Sequence, residues 1–552
     1  MTAPRLLDVV SELAQADPTA VALWDGAAAA DPAGTTTALP VTRQQLVARS
    51  AAIAEVLRGL GVGAGDCVGV WLPNWSDSVA AQFAALGLGA HVIGINTRYN
   101  SEEVAHVLQM AAPQAVLMAH DFNDLDLVGR LRAALEPADR PAPALVVVAA
   151  PGTPAPDELS AYDLGSPVVA LAPSHPATAP TTLPPGPSAL AVGFTTSGST
   201  GRPKLAAHDE AGTTEHLLAA GEALRFRPDD VMLGALPLSG VFGFVAAYAA
   251  VLAGVPVLLE PVFRASGVVA EMAELGVTHI VGGDDLIGRI ADEQRASGAR
   301  LALRHVLIAD FEGRTPELAA WAEQACGAVL TGVYGSSETF ALTAFWPTDA
   351  PPETRAAGGG HVVTPAIAVR IADPLTNGEL PDGEQGELQL RGPNVVDDYL
   401  GDPSVKAAAF TSDGWFRTGD LAVRTGEGAF RYVCRMGDVL RLRGFLVDPA
   451  EIELRLIAHD AVALAKVVGA PARDGHGTEA IAFVVARPGH TTTSEELRDW
   501  CAATLARFKV PAEVRFLDEM PTTSGTNGTK IRAAALRELA ATELAATERT
   551  PR

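Results

Sequence analysis

The sequence predicts an α/β protein of more than one domain, built from layered sheets and helices. Short apolar runs at 67–72, 92–95, 115–119 and 144–148 alternate with helix-periodic stretches, the pattern of an α/β layered fold. The chain has 552 residues, more than a single hydrophobic core accommodates. Hydrophobic residues make up 48% of it and charged residues 19%, enough to fill such cores and still face water.

Taken in order, residues 5–16 set Leu6, Leu7, Val10 and Leu13 on one helical face, and the Gly/Ala/Asp/Pro stretch at 26–35 reads as a loop. A second helix runs to about residue 60, opened by Thr42 and Gln45 at capping-box spacing. The glycines between 61 and 65 precede a strand rather than a helix, which rules out a dinucleotide fingerprint. Residues 149–188 are rich in Pro, Ala and Thr and predict an extended surface connection. A buried strand at 189–194 follows, then a helix at 212–224 and strands at 257–259 and 279–281. Asp284 and Asp285 stand as candidate caps of a helix starting near Leu286. Strands are expected at 303–308, 328–330 and 386–392, then at 462–469 and 480–486, with helices at 494–505 and 533–547.

Net charge is −24 and no basic cluster stands out along the chain, which argues against a nucleic-acid partner. Cys67, Cys326, Cys434 and Cys501 are far apart and form no metal spacing. No signal peptide and no membrane-spanning run is expected, so the reading is a cytoplasmic protein with reduced thiols.

The candidate chemistry begins at Thr195, Thr196, Ser197, Gly198, Ser199, Thr200 and Gly201, followed by Lys204. Glycines let backbone N–H groups turn toward one point, hydroxyls add donors, and the lysine adds charge, a concavity suited to phosphate. A polar surface turn is the plain alternative for such a loop. Only five of the 41 basic residues are lysines, so Lys204 and Lys530 are sites where a compact charge replaces the usual guanidinium. Downstream, Tyr334, Gly335, Ser337 and Glu338 close a strand. Its tyrosine suits a flat base, its serine a phosphate or carboxylate, and its glutamate Mg²⁺, which prefers carboxylate plus phosphate ligands. Asp420 follows a Thr-Gly pair that reads as a turn.

These stretches, in this order, resemble the AMP-forming adenylating superfamily, which includes acyl-CoA synthetases, nonribosomal-peptide adenylation domains and luciferases. The resemblance implies a large multi-subdomain N-terminal domain over 1–436 and a small mobile α+β lid over 437–552, hinged at Gly437. It implies that Asp420 and Arg435 hold ribose, that Gly444 lets pantetheine pass, and that Lys530, on a Gly/Thr-rich loop, swings into a distant site as the catalytic lysine. It places the loop at 309–313 beside adenine, where this chain is atypical and Phe311 is either a base-stacking or a core residue. It also places Ser239, Gly240, Phe242 and Gly332 at the acyl pocket. Ser239 and Gly240 replace an aromatic residue and a histidine, which either opens room for a bulky acyl group or is filled by Phe242 or Phe244. His208 is read as a structural partner.

The implied reaction joins a carboxylic acid to ATP, with Mg²⁺, and passes the acyl group to coenzyme A. The substrate expected is a bulky hydrophobic acid: long-chain, aryl or polycyclic. Two alternatives stay open at this point: transfer to a trans-acting carrier protein or second enzyme, and a non-catalytic nucleotide-binding protein on the same fold.

Overall fold

The computed structural model describes residues 4–27, 38–136, 141–172, 190–196, 203–311, 313–436, 440–442, 445–447, 449–471, 478–505, 507–525 and 528–547. Within them lie a thirteen-stranded sheet, an eight-stranded sheet, a five-stranded sheet and a two-stranded ribbon. The eight-stranded sheet has a parallel centre. Cys67–Trp71 pairs with His91–Gly94 and Ala115–Ala119, and Leu190–Thr195 extends it beside His91–Gly94. These central strands are almost wholly buried and read as continuous apolar runs, as strands covered on both faces must.

The larger sheet changes character halfway. Met232–Gly234, Val257–Leu259, His279–Gly283, His305–Ala309 and Val329–Tyr334 run parallel. Beyond Val329–Tyr334 the pairing becomes antiparallel, through Ala344–Phe345 and Gly359–Val362 to Ala429–Arg435 and Phe416–Gly426. The carboxyl end of a parallel strand at such a change of topology is where α/β sheets leave a ligand crevice.

Local signals fold as expected where they are strongest. Helix Arg43–Gly59 starts at Thr42, whose hydroxyl accepts the Gln45 N–H while the Gln45 side chain accepts the Thr42 N–H. Helix Ala533–Thr547 closes the described chain. Elsewhere the structure differs from the sequence reading. The 149–188 connection carries a short strand, Val168–Ala170, that pairs with Ala144–Val148. Asp284 and Asp285 do not cap their helix: Asp284–Ser297 begins on Asp284 itself, with Gly283 at the cap position and no side-chain cap. The last lysine stretch is no open loop: Thr522–Gly525 and Gly528–Ile531 form a hairpin with Thr523 opposite Lys530.

The C-terminal part has its own core. Leu442, Val447, Ile452, Val467, Ala482 and Leu497 pack between the five-stranded sheet and helices Pro449–Ile457 and Ser494–Ala502. It meets the rest of the chain at Ile457, whose side chain lies against Gly313, and at Gly528–Ile531, which lies beside helix Asp284–Ser297. Among the described residues no helix is long and apolar enough to cross a membrane. None of the four cysteines forms a disulfide.

Candidate active site

Two sheets bring their strand ends together here. Leu190–Thr195 ends at the start of the Ser/Thr/Gly loop, and Val329–Tyr334 ends at the Gly335–Glu338 segment. The Ser337 hydroxyl donates to the Thr195 carbonyl at 3.3 Å. His208, fully enclosed, bonds the Ser337 carbonyl through Nε2 at 2.8 Å. Burial holds its imidazole down at about 4, so the ring is neutral near pH 7 and Nε2–H is the donor to that carbonyl. Its Nδ1 is buried without a partner. The Thr195 hydroxyl shares a 2.6 Å hydrogen bond with Tyr99. Thr196 donates its N–H to the Lys204 carbonyl at 2.8 Å, which closes the base of the loop. Ser197, Gly198, Ser199, Thr200 and Gly201 lie outside the described residues, as do Gly437 and Gly444.

The nucleoside candidates converge. Tyr334 donates its hydroxyl to Asp420 Oδ2 at 2.6 Å, and Arg435 donates to Asp420 Oδ1 at 2.7 Å. Asp420 and Arg435 face each other in register on neighbouring strands. The Thr-Gly pair before Asp420 is no turn: it lies inside the eleven-residue strand Phe416–Gly426, where the pairing with Gln385–Arg391 slips. Gly419 adopts φ +69° in this irregularity, a left-handed conformation that glycine tolerates. The kink is fixed by Thr418, whose hydroxyl donates to the Leu388 carbonyl and accepts the Asp420 N–H. Sequence reasoning assigned the aspartate but missed the bulge, because strand pairing between residues some thirty positions apart leaves no local mark. Burial and then the Asp420 carboxylate push the Tyr334 phenol well above its ordinary value, so it remains a donor. Burial alone would lower the Arg435 pKa; Asp420, with Tyr334 and Glu338 beyond it, reverses that and holds the guanidinium charged.

Glu338 acts electrostatically on both Arg435 and Tyr399. Its backbone carbonyl accepts the Val396 N–H at 2.7 Å. Its carboxylate, after burial, raises the pKa of Tyr399, and Lys204 Nζ stands 5.7 Å from the centre of the Tyr399 ring. Among the described residues no group of three or more His, Cys, Asp or Glu side chains could cage a metal ion. A single half-buried carboxylate completed by substrate phosphates fits Mg²⁺, which keeps water and phosphate ligands. The buried Thr196 hydroxyl, which has no hydrogen-bond partner among the described residues, likewise fits a phosphate oxygen at the loop.

The segment after Glu338 is strained. Phe340, Ala341 and Leu342 all have positive φ, at 62°, 29° and 44°. The turn folds back on Gly335, where an added Cβ would lie 2.5 Å from the Ala341 Cα. The Phe340 ring is held by His208 at 4.5 Å and His216 at 5.4 Å between ring centres.

The acyl-pocket candidates are packed differently from the roomy reading. Ser239 abuts Gly94, where a Cβ would lie 2.6 Å from the Ser239 Cα. Phe244 stacks on Tyr248 at 4.0 Å and meets Phe194 edge-on at 5.3 Å. A cavity of only about 20 Å³ remains beside Ser239 and Phe244. Gly240 precedes helix Val241–Leu252, and Phe242 is buried within it. Gly332 serves a close approach: a Cβ there would lie 2.4 Å from the Ala357 carbonyl oxygen. Ser239 thus packs backbone to backbone against Gly94, and Phe244 lines the little space left.

Asp284 acts on the 309–313 loop. Its fully buried carboxylate accepts the N–H groups of Phe311 at 3.2 Å and Arg314 at 3.4 Å. Sequence reasoning offered this aspartate only as a helix cap, since its true partners lie about thirty residues away. Phe311 is half-buried, with its ring edge beside Gly283.

Residues 13–400 match the AMP-binding enzyme family, and residues 451–526 match the AMP-binding enzyme C-terminal domain. The chain is similar to a methyl-dioxo-octahydro-indenyl-propanoyl:CoA ligase of Rhodococcus jostii, 31% identical over 492 residues, which cover 87% of this chain and 91% of that protein. It is also similar to a feruloyl-CoA synthase of Amycolatopsis, 30% identical over 486 residues, covering 88% and 91%. Among solved structures, the amide bond synthetase McbA from Marinactinospora thermotolerans superposes with a TM-score of 0.79 at 25% identity, covering 96% of this chain and 99% of that one.

Proposed function

The chain belongs to the AMP-binding enzyme family, and as an AMP-forming acid–thiol ligase of that family we propose that it activates a bulky hydrophobic carboxylic acid, aryl or polycyclic, for transfer to coenzyme A. The observation that carries the reading is the Tyr334–Asp420–Arg435 cluster, set beside the Thr195–Ser337 bridge between two sheets. The ring acids named for the relatives support the substrate class; the packed wall at Ser239 adds nothing to it.

The chemistry follows from the residues. The acid is ionised near neutral pH, so no general base is needed. Its oxygen attacks the α-phosphate of ATP, forming the acyl–phosphate bond as pyrophosphate leaves. Both reactants are anionic, so the side chains must offset repulsion and hold the approach. Tyr334 offers the base a ring face, while Asp420 accepts from the ribose hydroxyls with Arg435 keeping it charged. Thr195, Thr196 and Ser197 through Gly201 donate toward the phosphates, and Lys204 adds charge at the rim. Ser337 turns its hydroxyl from the Thr195 carbonyl to the α-phosphate or the acid. Glu338 would hold Mg²⁺, which when bound supplies charge neutralisation on the phosphates. Lys530 completes the cage from the C-terminal body in the first half-reaction. Rotation about Gly437 then withdraws it and brings Gly444 to the thiol path, with 1–436 and 437–552 as the moving bodies. The family matches, which end at 400 and resume at 451, support that division.

Pyrophosphate release measured over a panel of acids, with and without coenzyme A, tests the reading. Release that depends on a ring acid, with AMP and a thioester formed only when coenzyme A is present, is expected. Product with an amine and none with coenzyme A would move the reaction toward amide formation, the chemistry named for McbA, and product only with a carrier protein would move the acceptor there. No release with any acid would refute catalysis.

A further inference from the structure

A second cavity lies at the amino ends of the parallel strands of the larger sheet. It measures about 610 Å³ and is lined by the first residues of three neighbouring parallel strands: His279, His305 and Val329. Val329 at the cavity and Tyr334 in the nucleotide cluster stand at opposite ends of one strand, roughly 17 Å apart at about 3.3 Å per residue, while Phe345 and Val362 carry the cavity wall up to the level of Val333 and Ala344 on the next strands. Arg225 and Arg227 are exposed at its mouth just beyond helix Glu210–Leu224, and Arg304 lies deeper. Trp346 forms a flat wall, with His361 edge-on to it at 6.1 Å.

The charge is unbalanced. Asp230, the carboxylate beside His279, is taken up by Arg304 through both oxygens. Arg225 and Arg227 have no ion pair of this kind among the described residues. Behind the rim, Arg355 donates to the Thr348 carbonyl at 3.0 Å, while its buried Nε has no acceptor among the described residues. Burial holds His279 down at about 4 against the pull of Asp230, with Arg304 and Arg227 adding to it, and holds His305 down at about 3, with His279, Arg304 and Arg355 adding to it. In a chain of net charge −24, Arg225 and Arg227 thus form a local positive rim. The sequence hid it, because the residues come from 225–227, 279, 304–305 and 346–361.

We propose that this cavity is a second ligand site, separate from the nucleotide and acid sites, for a small organic anion: a carboxylate or phosphate monoester borne on a flat hydrophobic body. The anionic group pairs with Arg225 and Arg227, and the body lies along Trp346. The inference does not rest on the ligase reading.

Calorimetric titration of the full chain with benzene-1,2-dicarboxylate and with phenyl phosphate tests it, with benzyl alcohol as the neutral control and Trp346→Phe used to assign the accompanying fluorescence change. Saturable binding of both anions, absent for the alcohol, is expected. Arg225→Gln with Arg227→Gln should weaken it at least about tenfold, the loss expected for charge-assisted contacts. Both side chains are exposed, so the melting temperature should hold. No saturable binding, equal affinity in the double variant, or binding of the alcohol as tight as the anions would overturn the site. Competitive displacement by an acid that the protein turns over would overturn its separateness, making it the far end of the acyl site.

Discussion

Asp420→Asn puts the ribose cluster under direct test. The wild-type carboxylate accepts Arg435 at 2.7 Å on one oxygen and Tyr334 at 2.6 Å on the other, and it is almost fully buried. Asparagine keeps the shape but has one acceptor oxygen. Its best placement turns that oxygen to Arg435 and the amide N–H to the phenol oxygen, which must then accept. The ribose hydroxyls lose a charged acceptor, worth about 1.5–3 kcal/mol for a hydrogen bond to an ionised group. Because the Arg435 side chain is 48% exposed, solvent screens this grouping and the lower part of the range applies. AMP should therefore bind roughly tenfold to thirtyfold more weakly, measured as Kd by calorimetry. Tyr334→Phe leaves the carboxylate in place and should cost less. If Asp420→Asn shifts the melting temperature yet leaves the AMP Kd within about twofold, the carboxylate only fastens two strands and the reasoning fails.

Lys530→Ala should slow acyl-AMP formation by about a hundredfold or more while leaving thioester formation from supplied acyl-AMP near wild type; equal losses in the two half-reactions would contradict the two-position role. Gly332→Ala should destabilise the protein by about 1–3 kcal/mol in urea unfolding, because its methyl meets the Ala357 carbonyl oxygen. Asp284→Ala releases the Phe311 and Arg314 N–H groups, and the KM for ATP should rise several-fold with kcat little changed, read from steady-state kinetics. Burial holds His208 and His216 at about 4, below the 6.5 of the free side chain. Their neutral forms favour the fold above pH 6.5, and this contribution is lost as pH falls toward 4. The urea midpoint should drop across that window, with a shallower drop in His216→Gln, whose amide keeps the bond to the Ala341 carbonyl.

What was legible in the sequence was local. The Thr42–Gln45 capping box, the buried parallel strands and the order of the Ser/Thr/Gly, Tyr334–Glu338 and Asp420 segments each carry their signal within a few residues. What stayed hidden depends on partners far along the chain. Asp284 grips a loop rather than a helix start, the residues before Asp420 sit in a strand rather than a turn, and Ser239 leans on Gly94. Two readings of Ser239 and Gly240 stay open in the sequence, room or filling by a neighbouring ring, because side-chain size at two positions says little about volume when backbones can close the gap.

The pairing of Asp420 with Arg435 across adjacent strands makes chain length as important as residue identity. Side chains alternate faces along a strand, so one residue added between Ala429 and Arg435 would turn the guanidinium to the opposite surface with every neighbour unchanged. An addition in the 426–429 connection need not do so. Variation in length is thus confined to the hairpin tip, and the distance between the two charges is set by the spacing of strands rather than by any side chain that a point substitution could alter.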